Sequence, residues 1–125
     1  MIVDTNALSD LLEGRPEMRT AVGRAATLQI PVVVLGEYRY GLLHSRLRKV
    51  YEATLEGLLA DVEILPIDPV TAEYYALVRS ELRRAGRPIP ANDAWIAALA
   101  RQHVQPILSR DAHFDAVPGV TRIGW

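Results

Sequence analysis

The chain contains no cysteine. Disulfides, thiolate metal sites and cysteine nucleophiles are therefore excluded, and the absence suits a reducing compartment. Any bound metal must be held by oxygen or nitrogen. No basic N-terminal segment leads into an apolar stretch, and no uncharged run approaches the roughly 18 residues of a membrane span. The sequence therefore predicts a soluble, cytoplasmic protein with no membrane partner. Neither charge is in surplus: 14 Lys and Arg against 15 Asp and Glu leave a formal charge of -1, so no global positive field announces a nucleic-acid partner. Positive charge is concentrated only locally, in "RSELRRAGRP" (79–88) and "SRLRK" (45–49), and solvated helix faces commonly look like this.

Several catalytic motifs are also missing. There is no glycine-rich P-loop and no GxSxG elbow for serine catalysis. His44, His103 and His113 are scattered, and none belongs to a paired motif such as HExxH. A proton-transfer role for His113, close to Asp111, has no support in the sequence.

What is present is the composition of an ordinary globular protein, with 50% hydrophobic and 23% charged residues. A length of 125 residues suits one domain, 1–125. Short Val- and Ile-rich runs at 1–3, 31–35 ("PVVVL"), 62–67, 105–109 and 120–125 read as strands. Between them, apolar residues recur every three or four positions, as in Val50, Leu55, Leu58 and Leu59 or Tyr74, Leu77, Val78 and Leu82, and predict amphipathic helices. The alternation predicts an α/β fold with a mainly parallel sheet between helix layers. In such sheets ligands bind beyond the carboxyl ends of the strands.

Four acids fall at those places. Asp4 follows the first run, Glu37 follows "VVVLG", Asp111 follows "ILSR", and Asp93 opens the helical pattern "AWIAALARQ". Each alone can be a helix-end residue worth about 0.5 to 2 kcal/mol, with Asn92 as the cap of the helix that carries Asp93. Together on one rim, four carboxylates repel and raise one another's pKa unless a cation shares the site. An all-oxygen donor set suits Mg2+ or Mn2+, and such ions suit phosphoryl chemistry. Trp95, Ile96, Leu99 and Ala100 read as core rather than as RNA-stacking residues.

The segments "IVDTNAL", "VVVLGEYRYGL", "IPANDAWIAALA" and "ILSRDAHFDAV", in that order, resemble the PIN-domain ribonucleases, specifically the VapC-like toxins of type II toxin-antitoxin pairs. The resemblance spans nearly the whole chain. It implies a three-layer α/β/α PIN-like fold with a five-stranded sheet and a metal-dependent endoribonuclease that leaves 5'-phosphate and 3'-hydroxyl ends. Carried over, Asp4, Glu37, Asp93 and Asp111 would be the catalytic metal ligands, Asp115 a weaker peripheral acid, and Thr5, Asn6 and Ser109 the supporting polar residues. It also implies an RNA substrate, a cognate antitoxin, a homodimer and a toxin-antitoxin hetero-oligomer. Apolar residues in "LLEGRPEMRTAVG" and "EYRYGLLHSRL" would suit a partner helix or face the core. Arg39, Arg46, Arg83, Arg84, Arg87 and Arg110 are candidate phosphate contacts that the sequence does not rank.

Two other readings stand beside this one. An aspartyl phosphatase of the haloacid-dehalogenase type also begins with a strand ending in aspartate, but it needs Asp-x-Asp and Asn6 occupies the third place. A non-catalytic RNA- or protein-binding module would bind metal and gain thermal stability without turning RNA over.

Overall fold

The computed structural model describes residues 1–23 and 25–125. Its elements are β1 (Ile2–Val3), α1 (Thr5–Leu12), α2 (Pro16–Val22), β2 (Gln29–Pro31), α3 (Val32–Leu42), α4 (Arg48–Leu59), β3 (Glu63–Leu65), α5 (Pro69–Arg84), α6 (Ala91–His103), β4 (Ile107–Leu108), a 3-10 turn (Ala112–Ala116) and β5 (Arg122–Ile123). The strands form one five-stranded sheet in the order β3-β2-β1-β4-β5. All four pairings are parallel.

Parallel neighbours need crossover connections, and these run right-handed almost without exception. The chain steps from β1 to β2 to β3 in one direction, then passes back over both to β4 and on to β5. Helices α1 to α4 accordingly cover one face of the sheet and α5 and α6 the other, which makes the predicted α/β/α layers. The direction reverses between β1 and β4, and the carboxyl ends of those two strands frame the crevice where such folds bind ligands.

Burial explains why the central strands β1 and β4 are wholly apolar, whereas the edge strands β3 and β5 carry Glu63 and Arg122. Ile2, Val3, Ile30, Ile107 and Leu108 are fully buried, as a sheet covered on both faces requires. The helices bury only stripes: Ala7, Leu8 and Leu12 in α1, and Val78 and Leu82 in α5. Helix α6 is buried almost continuously from Ala94 to Ala100 and packs against α5. The ends are set locally. Asp68 and Thr71 form a reciprocal capping box at the start of α5, just before Pro69. Gly14, at φ 73, turns the chain out of α1.

One predicted strand is displaced. The run "PVVVL" at 31–35 is not a strand: β2 is Gln29–Pro31, and Val32–Leu35 form the start of α3. The buried residues of α3 are Val34, Tyr38 and Leu42, spaced by four, so the helical stripe prevails over the strand preference of three successive valines. Such propensities are weak beside packing. The other strands lie inside their predicted ranges and are shorter at their ends.

Candidate active site

β1 delivers Asp4 to the crevice. Its backbone is extended, α1 begins at Thr5, and Asp4 Oδ1 accepts the Thr5 amide at 2.7 Å, so it does cap the helix. Its surroundings go beyond capping. Asp4 is only 5% exposed, and Oδ2 accepts the Ser109 hydroxyl at 2.6 Å and the Asn6 Nδ2 amide at 3.3 Å. Burial pushes the Asp4 carboxyl above the usual carboxylate range; the Ser109 and Thr5 bonds pull it back, and the charges of Asp93 and Glu37 push it further up. Three carboxylates thus share one field.

Glu37 reaches the site from the second turn of α3, where its Oε2 accepts the Thr5 hydroxyl at 3.1 Å. It stands within a helix rather than after a strand, because α3 begins earlier than the sequence suggested. Ser109 follows β4 and is fully buried. Its Oγ also receives the Asp111 amide at 2.9 Å and Asn6 Nδ2 at 3.3 Å. Asn6 Oδ1 in turn accepts the Arg110 amide at 3.2 Å. Thr5, Asn6 and Ser109 therefore brace the carboxylates and the loop after β4 against each other.

Asp93 lies in the first turn of α6, where the helix dipole favours a negative charge. Asn92 does not cap this helix. The cap position is Pro90, with φ -53 and no side-chain cap bond, and Asn92 sits exposed one residue inside the first turn. Proline's fixed φ starts the helix one residue before Asn92.

Asp111 caps the 3-10 turn by accepting the His113 amide at 2.9 Å. That turn carries the His113 ring back onto the acids. His113 Nδ1 is 3.1 Å from Asp93 Oδ2 and 3.1 Å from Asp111 Oδ1, and the three residues offer ligand atoms within 4.8 Å of one another. The hydrogen bond to Asp93 chiefly raises the His113 pKa, with help from the charge of Asp111 and against some burial. Sequence reasoning gave His113 no role. The available signal was Asp111 as a turn cap, which brings the residue two positions on beside its carboxylate.

Asp115 stands apart. Its two oxygens accept Arg122 Nε and Nη2, each at 2.8 Å, and the Arg122 hydrogen bonds hold its carboxyl below the usual range. Arg122 also donates to the Ser109 carbonyl at 3.1 Å. Asp10, which sequence reasoning passed over, is 4% exposed. It pairs with Arg15 at 3.2 Å, with Arg110, and with the Trp125 indole N–H at 3.1 Å, while the Arg110 guanidinium lies 4.9 Å from the Trp125 ring centre. This cluster anchors the side chain of the residue between Ser109 and Asp111.

The gathered donors are hard carboxylates, one imidazole and no sulfur, and the charges of Asp93 and Glu37 add to the burial that lifts Asp4. That chemistry fits Mg2+ or Mn2+.

Comparison with known proteins identifies the family. The PIN domain family model matches residues 1–120. Over 95 residues the chain is 38% identical to ribonuclease VapC5 of Mycobacterium tuberculosis, covering 74% of this chain and 70% of that protein. Over 121 residues it is 30% identical to toxin FitB of Neisseria gonorrhoeae, covering 89% and 87%. Among solved structures, DNA-bound VapBC from Salmonella typhimurium superposes with a TM-score of 0.88 at 26% identity, covering 99% of this chain and 96% of that one. VapBC-5 from Mycobacterium tuberculosis, a member of the VapBC family of toxin-antitoxin systems, gives 0.72 at 30%, covering 99% and 97%. The chain belongs to the PIN domain family, among its VapC-like ribonucleases.

Proposed function

We propose that this protein is a divalent-metal-dependent endoribonuclease, acting in the cytoplasm as the toxin of a type II toxin-antitoxin pair, with residues 1–125 as its PIN domain. The observation that carries the reading is the buried Asp4 carboxylate, held at the reversal of strand order within the field of Glu37 and Asp93. Asp4, Glu37, Asp93 and Asp111 would hold Mg2+ or Mn2+. When bound, such ions lower the pKa of an attacking water and offset charge on the phosphodiester.

The chain's own residues set the conditions for this. Ser109 and Asn6 occupy Asp4 Oδ2 and fix the carboxylate's orientation, while Oδ1, which accepts only the Thr5 amide, keeps lone-pair capacity for a further partner. Thr5 turns Glu37 toward the same rim. His113, when protonated, offsets the mutual repulsion of Asp93 and Asp111.

The phosphatase reading finds no support in the geometry. Asn6 spends its amide on Asp4, Ser109 and the Arg110 backbone, so it braces the site where an acid would have to donate a proton. Asp115, tied to Arg122, is left outside the ligand set.

Likeness to VapBC complexes supports an antitoxin partner and a hetero-oligomer, and a homodimer is part of the same proposal. Of the two stretches named for a partner helix, "EYRYGLLHSRL" exposes Tyr40, Leu43 and Leu47, followed by Val50. "LLEGRPEMRTAVG" instead buries Leu12 and Met18 in the core. The test is incubation of purified protein with a structured RNA in magnesium, in manganese and in EDTA. Cutting is expected only with the metals, and equal cutting in EDTA would overturn the proposal.

A further inference from the structure

Among the described residues the arginines differ in their partners, and Arg19 and Arg46 stand singly outside any ion pair. Arg15, Arg39, Arg48, Arg101, Arg110 and Arg122 each pair with a carboxylate, whereas among the described residues no carboxylate pairs with Arg79, Arg83, Arg84 or Arg87. These four lie within nine residues of sequence, in a protein whose formal charge is -1. Arg79 and Arg83, one helical turn apart on α5, line a cavity of about 450 Å³ together with Ser80, Leu82, Pro88 and Ile89.

Two features suit this cavity to a polyanion. Arg79 is held in place: it donates to the Tyr75 hydroxyl at 2.8 Å and lies 5.6 Å from the centre of that ring. Tyr75 stacks on Trp95 at 3.8 Å with 18° between the planes. A guanidinium fixed in this way loses less freedom on gripping a phosphate. The cavity is also close to the acids. Ile89 lines it and Asp93 follows four residues later, so their Cα atoms are at most about 14 Å apart even for a fully extended chain. Arg83 and Arg84 also suit the C-terminal end of the α5 dipole, which accounts for neither Arg79 a turn earlier nor Arg87 beyond the helix.

We infer that the Arg79–Arg83 cavity is a phosphate-binding subsite that guides a single RNA strand toward the acidic cluster. The inference rests on the ribonuclease reading and adds to it where the substrate backbone lies. It also ranks the basic candidates: Arg39 and Arg110 are committed to Glu56 and Asp10, Arg46 is unpaired but does not line the cavity, and the unpaired arginines around the cavity take the strand.

The test is fluorescence anisotropy of a labelled single-stranded RNA oligonucleotide, titrated at several salt concentrations without divalent metal so that nothing is cut. Wild type is compared with Arg79→Gln/Arg83→Gln and with Arg39→Gln/Arg48→Gln, which removes the same charge from paired arginines. The cavity variant should bind more weakly, with a plot of log affinity against log salt shallower by about 1.4, because each phosphate contact on a single strand contributes about 0.7. The control variant should change the slope by less than half of that. A matching circular dichroism spectrum shows that the cavity variant is folded, and Arg83→Gln alone, which spares the Tyr75 contact, should still lower the slope by about 0.7.

An unchanged slope, an equal change in both double variants, or no RNA binding by wild type overturns the inference. So does a cavity variant that binds RNA normally but loses binding to polyglutamate, which makes the cavity a site for acidic peptide. Wild type that binds RNA through Arg79 and Arg83 yet never cuts it with magnesium supports the subsite while sinking the nuclease reading.

Discussion

The Ser109 hydroxyl donates to Asp4 Oδ2 across 2.6 Å, joining two residues 105 positions apart in the chain. The bond ties together the ends of β1 and β4, the paired strands between which the strand order reverses. It also lowers the Asp4 pKa against the burial that raises it. Ser109→Ala should therefore make Asp4 harder to ionise and loosen Asp111, whose amide loses its acceptor. Stability should fall by about 1 to 3 kcal/mol for the buried oxygen and amide left without the hydroxyl, measured by urea unfolding. The magnesium concentration needed for half-maximal cleavage should rise.

Asp4 gives a pH dependence of definite sign. Its folded-state pKa is raised, chiefly by burial, so the folded protein holds that proton over a range where the unfolded chain has released it. Its contribution to metal-free stability is full below the ordinary carboxylate pKa and declines as pH rises through the folded value. The difference in melting temperature between metal-free wild type and Asp4→Asn should thus turn against wild type on going from pH 4 to pH 8. A difference independent of pH would contradict the assigned shift.

Asp10 is a buried carboxylate serving two arginines and an indole. Asp10→Ala should cost about 1 to 3 kcal/mol, the lower part of the range being favoured because Arg15 and Arg110 are half-exposed and rehydrate on release. Equilibrium denaturation reads the cost, and Trp125 fluorescence should shift with it as the indole N–H loses its partner.

Val104 ends α6 in the left-handed region at φ 52 and is 86% exposed. A β-branched residue there is strained, and the left-handed conformation costs L-residues about 1 to 2 kcal/mol. Val104→Gly should relieve that strain and raise stability by about 0.5 to 1 kcal/mol after the extra freedom glycine gives the unfolded chain. The midpoint of urea unfolding should move upward, with cleavage activity unchanged.

The mainly parallel sheet, the helix layers and the gathering of Asp4, Glu37 and Asp93 were legible because they follow from apolar runs, helical spacing and the positions of charge relative to both. Two kinds of feature were not. Val32–Val34 carry a strand-like local signal, yet they form a helix because Val34, Tyr38 and Leu42 bury on one face, and only the packed neighbours decide that. His113 and Asp10 owe their surroundings to contacts across 20 and 100 residues, with Asp93 and Arg110 respectively, which no local pattern records. Trp95 was expected in the core; it is half-buried, stacked on Tyr75, because α6 packs against α5 beside that ring. The pairing of some arginines and not others is likewise a property of the fold, and for that reason the sequence left them unranked.

The most direct test is cleavage of a structured RNA by wild type, Asp4→Asn and Asp93→Asn, with magnesium present and circular dichroism recorded for each. Wild type should cut the RNA, and both variants should lose cutting by about two orders of magnitude or more, the scale of a lost group that stabilises transition-state charge, while their spectra match wild type. Variants that cut as fast as wild type would contradict the assignment of these carboxylates as the catalytic centre.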